Sequence, residues 1–138
     1  MSREYDIVMA TDCRFPGGTT ASVVEEIEAQ YRAGYRTALL HLPSPIHRSG
    51  GPFAQLIRRV LKDGKAELIA GPRPVQTSLL SIRNPSVISE VPPVLPPIEA
   101  EHALMIANQV PEDARGAAPY YDPARVHRNV RATFGHEA

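Results

Sequence analysis

The sequence predicts a single α/β domain with a mostly parallel sheet of about five strands flanked by helices. Three observations predict it. Short apolar runs alternate along the chain with amphipathic segments, the pattern of strands buried on both faces between crossover helices. The first run, Tyr5–Ala10, leads through Gly17-Gly18 into a helical repeat, a strand–turn–helix opening. The length of 138 residues suits one domain, enough to bury about two-thirds of its unfolded surface.

Each element has its own justification. The first helix is expected from about Ala21 to Ala33. Ser22 and Glu25 have capping-box spacing, and Thr19 or Thr20 would cap as well. Val23, Ile27 and Tyr31 fall on one stripe, and Gly34 follows as a C-terminal cap. Tyr35–Leu42 reads as the second strand, stopped by Pro43-Ser44-Pro45. Pro52 opens the second helix. Phe53, Leu56, Ile57, Val60 and Leu61 give its apolar face, and Asp63-Gly64 ends it.

Lys65–Ala70 is a short third strand and Ser78–Arg83 a fourth, with Val75–Thr77 as lead-in. A Pro-rich connection occupies about residues 84–100. It holds five of the 14 prolines and excludes a helix or a central strand. Glu101–Ala107 is the fifth strand. Asp122-Pro123 starts a last helix through Val126, Val130 and Phe134 to Gly135. Right-handed crossovers then line up the strand C-terminal ends along one edge. The result is a Rossmann-like three-layer domain, whose ligands bind outside that edge, where strand order reverses.

Composition narrows the function classes. Fifteen acidic and fifteen basic residues cancel, which argues against a basic nucleic-acid binder or a polybasic membrane surface. No apolar run reaches the ~20 residues of a membrane span. The N-terminus carries no apolar leader and Cys13 is the single cysteine, so a cytoplasmic location is expected. The histidines show no compact metal-binding motif, so no metal is predicted, and no cofactor is implied.

Candidate site residues follow from the edge. Gly17 and Gly18 either bring the backbone close to an anion at the helix start or simply make a turn. The loop lacks the spacing of the dinucleotide fingerprint and of the P-loop. Thr19, Thr20 and Ser22 offer hydroxyls to phosphate or sugar, or cap the helix. Arg14 meets a phosphate or is solvated. His41 ends its strand as a base, an acceptor contact or a structural residue. Asn108 and Gln109 follow the fifth strand and suit sugar hydroxyls or loop capping. Cys13 reads as an inert thiol, with no partner that would make it a nucleophile.

Several blocks also resemble one family. Phe15–Val23, Ala33–Thr37 and Leu40–Pro45, followed by Asn84-Pro85, Asn108-Gln109 and Tyr121–Gly135, are similar in order to the N-terminal part of bacterial GT-B glycosyltransferases. The resemblance implies two Rossmann-like domains around a cleft. The N-terminal one receives the acceptor, and its glycine loop faces the diphosphate of a nucleotide-sugar donor. It also implies a C-terminal donor domain or partner subunit beyond these residues, so turnover by this chain alone is not expected. The alternative is a non-catalytic Rossmann-like binding or assembly module, with homodimerisation through the terminal helix around Val126, Val130 and Phe134.

Overall fold

The computed structural model describes residues 3–14, 18–43, 51–83, 87, 95–106 and 122–135, with Gly18 and Thr19 described in their backbone alone. The elements run β1 (Arg3–Thr11), α1 (Gly18–Arg32), β2 (Thr37–His41), α2 (Gln55–Lys62), β3 (Glu67–Leu68), β4 (Val75–Arg83), β5 (Ile98–Ile106) and α3 (Pro123–Phe134). The five strands form one sheet in the order β3-β2-β1-β4-β5, and every pairing is parallel. The predicted α/β class, a parallel sheet flanked by helices, is the architecture observed. No helix among the described residues is long and apolar enough to cross a membrane.

Two apolar layers hold the sheet. On one face Met9 and Leu39 pack with Val23 and Ile27 of α1 and with Ile57 and Val60 of α2. On the other, Val8, Ala10, Leu40, Leu80 and Ile82 pack against Val126, Val130 and Phe134 of α3, with Ile69 from the connection after β3. Fully burying side chains of this size stabilises by roughly 1.5–3 kcal/mol each. The three α3 residues therefore belong to the core and cannot serve as an exposed partner face, as the assembly reading expected. The ends of α3 are as the sequence predicts. The Asp122 carboxylate accepts from the Ala124 N–H at 3.0 Å, and Gly135 closes the helix at φ 71°, a left-handed conformation that favours glycine.

Several boundaries differ from expectation. α1 begins at Gly18, so Gly18, Thr19 and Thr20 form its first turn and Ser22 sits inside the helix without a capping role. Tyr31 and Tyr35 are about half exposed, and Leu56 also faces out. β3 keeps only two residues. β5 starts at Ile98, so the Pro-rich connection ends at Pro97 and does not reach residue 100.

β4 and β5 begin three residues earlier than their periodicity suggests, and the cause is a shared irregularity. Asp6, Ser78 and Glu101 drop out of the ladders at one level on three adjacent strands. At β1, the Asp6 and Ile7 N–H groups both donate to the Arg36 carbonyl, at 2.9 and 3.2 Å, as at a β-bulge. Tyr5, Val75 and Ile98 before the break share the α3 face with Val8, Leu80 and Ala103 after it. Strict alternation would place the two sets on opposite faces.

Candidate functional site at the sheet edge

Strand order reverses between β1 and β4, because β2 and β3 lie to one side of β1 and β4 and β5 to the other. The C-terminal ends of β1 and β4 therefore flank the crevice where ligands of open α/β sheets bind. α1 starts beside it at Gly18, directing unpaired N–H groups and a partial positive charge there.

The turn after β1 is built on Asp12, whose side chain is fully buried. Arg14 grips it with two nearly parallel bonds, Nε to Oδ1 at 2.9 Å and Nη2 to Oδ2 at 2.7 Å. The Arg14 backbone N–H donates to Oδ1 at 3.0 Å as well. A bidentate pair of this kind fixes direction as well as distance. The Asp12 hydrogen bond raises the Arg14 pKa above its ordinary value.

His41 ties β2 to the same turn. Its Nδ1 accepts from the Cys13 N–H at 3.1 Å, which places the neutral ring's proton on Nε2. Its ring lies 4.8 Å from that of Phe53, and the Ala54 N–H donates to the Cys13 carbonyl at 2.8 Å. The approach to α2 is thereby stitched to the turn after β1. Burial lowers the His41 pKa; the nearby Asp12 charge opposes the shift and the Arg14 charge adds to it. Burial also pushes the Cys13 thiol up to about 12, with the Asp12 charge adding to the effect. Cys13 is an inert thiol at neutral pH.

Across the crevice, β4 ends in Arg83, whose side chain is 6% exposed. It forms an ion pair with Glu26 and donates from Nη2 to Ser22 Oγ at 2.7 Å. Both partners belong to α1. Arg83 thus clamps α1 to β4 at the switch point, and its Nε–H has no partner among the described residues. Burial lowers its pKa.

The structure brings Arg14 and His41 together with Asp12 and places Gly18, Thr19 and Thr20 in the adjoining first turn of α1, with Thr20 buried. Gly17, Asn108 and Gln109 lie outside the described residues. Asp12, Arg83, Glu26 and Phe53 are site residues that the sequence did not single out. For Asp12 and Arg83 the available signal was weak, a polar residue at the end of a buried run; Glu26 and Phe53 carried none. Among the described residues no group of three His, Cys, Asp or Glu side chains is arranged to hold a metal ion.

Comparison with known proteins adds no family. No protein-family model, no curated protein and no solved structure matches the chain.

Proposed function

We propose that this chain is the acceptor-side, N-terminal domain of a GT-B-type glycosyltransferase, with the β1–α1 turn facing the diphosphate of a nucleotide-sugar donor. The observation that carries the reading is the convergence at the switch point. The N-terminus of α1, the Asp12–Arg14–His41 turn and the buried Arg83 meet where a parallel α/β sheet takes its ligands. The glycine loop and the sequence blocks quoted above support the sugar-transferring class.

Donor phosphates would sit against the backbone of the first α1 turn, where Gly18 leaves room for close approach. The two arginines would act through the frame they hold, since Arg14 is committed to Asp12 and Arg83 to Glu26. His41, with Nδ1 occupied by Cys13, would present Nε2–H as a donor to an acceptor hydroxyl. In this reading a second Rossmann-like domain completes the donor site. A panel of nucleotide sugars tests it by thermal shift. Stabilisation by at least one donor, lost in Gly18→Val, is expected. A panel that shifts neither protein counts against the donor-facing turn, and sugar transfer by these residues alone would refute the need for a second domain.

The two internally neutralised arginine–carboxylate pairs favour a second reading, a non-catalytic Rossmann-like module in which this cluster only braces the edge. In that case no nucleotide sugar binds.

A further inference from the structure

An open groove of about 710 Å³ lies near the N-terminal ends of β1, β4 and β5, at the level of the shared irregularity. Its carboxylates are Glu4, Asp6, Glu99 and Glu101, facing one arginine, Arg36. The Arg36 guanidinium lies over the Tyr5 ring at 4.8 Å and pairs with Glu67, while its backbone N–H donates to Asp6 Oδ2 at 2.7 Å. Among the described residues none of the four carboxylates has an ion-pair partner. Tyr5, Ile98 and Ala100 point to the α3 face, so Glu4 and Glu99 stand on the opposite one, the face that carries α1 and α2, and Glu101 joins them in the groove lining.

The same face carries the complementary charge. On α2, Arg58, Arg59 and Lys62 are exposed and fall, with Gln55, on one side of the helix by their spacing. Their only acidic neighbour along that stripe is Asp63, at the helix end. Leu56 beside them is 41% exposed. α1 packs against α2 and is clamped to β4 through Glu26, so it lies between the basic stripe and the acidic groove. The chain as a whole has zero net charge, so no overall repulsion opposes two copies meeting.

We infer that the occupant of this face is a second copy of the chain, related by a two-fold axis near α1, each copy seating its α2 stripe in the other's acidic groove. A two-fold arrangement makes both contacts at once and closes, as most homo-oligomers do. Charge complementarity then fixes register and makes the association salt-dependent. This inference is independent of the glycosyltransferase reading.

Sedimentation of the full chain tests it. The expected result is a dimer at about 0.05 M salt whose association weakens at least about tenfold at about 0.5 M. Two charge-reversed sets, Arg58→Glu/Arg59→Glu/Lys62→Glu and Glu4→Lys/Glu99→Lys/Glu101→Lys, should each be monomeric. Mixed in equal amounts they should form a heterodimer, because each then meets its opposite. If circular dichroism shows a reversed set unfolded, the neutral set Arg58→Gln/Arg59→Gln/Lys62→Gln replaces it, with loss of the dimer expected. A strictly monomeric parent, or a dimer that survives either reversal, overturns the inference. So does a monomer whose groove takes up a basic helical peptide, which would assign the face to a foreign partner.

Discussion

The Nδ1 atom of His41 accepts the backbone N–H of Cys13 at 3.1 Å, so this side-chain link from the end of β2 to the turn after β1 exists only while the imidazole is neutral. Protonation at Nδ1 replaces the acceptor with a donor. The nearest charges facing the ring are Asp12, with Oδ1 at 3.9 Å, and Arg14.

That bond makes a pH prediction. Burial lowers the folded-state pKa of His41 below its ordinary 6.5, so the unfolded chain binds the proton more readily. The contribution to stability is complete above the unfolded pKa, and it is lost as pH falls through the lower, folded value. His41→Asn, whose Oδ1 can replace the acceptor, should remove this component of the pH dependence while keeping the turn. His41→Leu should cost about 1–3 kcal/mol by leaving the Cys13 N–H unpaired. Denaturant unfolding of all three proteins between about pH 5 and 8 checks it; identical pH profiles for the parent and His41→Asn would contradict the role.

Arg83 and Glu26 should behave as a coupled pair. Arg83→Met removes the clamp between β4 and α1 and leaves Glu26 without its cation. The loss should be about 1–3 kcal/mol, less than the ~3–5 kcal/mol of a fully buried pair, because the Glu26 side chain is 38% exposed. Adding Glu26→Gln should recover part of it. A double-mutant cycle by urea unfolding measures the coupling, and strictly additive losses would show that the two residues do not act together.

Cys13 should resist thiol reagents in the folded protein. With its pKa pushed up to about 12, about one thiol in ten thousand is ionised at pH 8, and the side chain is buried. Maleimide labelling should therefore be slow in native buffer and accelerate with urea in step with unfolding. Rapid, urea-independent labelling would contradict the burial.

The central strands were legible because burial on both faces leaves unbroken apolar runs at Ile7–Ala10 and Ala38–Leu40, and glycines mark the ends of α1 and α3. The front halves of β4 and β5 were not legible. The break at Ser78 and Glu101 reverses the side-chain alternation, so no single period of two covers Val75–Arg83 or Ile98–Ile106. Tyr31 has the spacing of a core residue, yet at the last turn of α1 it is about half exposed. At the site, Arg14 and His41 stood out as polar residues at strand ends. Arg83 did not, because its partners Ser22 and Glu26 lie about sixty residues away and only the β1–β4 pairing brings them within reach. Asp12 reads as a loop residue until the Arg14 fork shows it buried.

The most direct test of the switch-point site is an amide NMR titration of the chain with nucleotide sugars. The account predicts that shifts from a binding donor concentrate at Asp12, Cys13, Arg14, Gly18, Thr20, His41 and Arg83, with the residues of the opposite sheet edge unmoved. No binding across the donor panel, or shifts confined to Glu4, Asp6, Glu99 and Glu101, would contradict it.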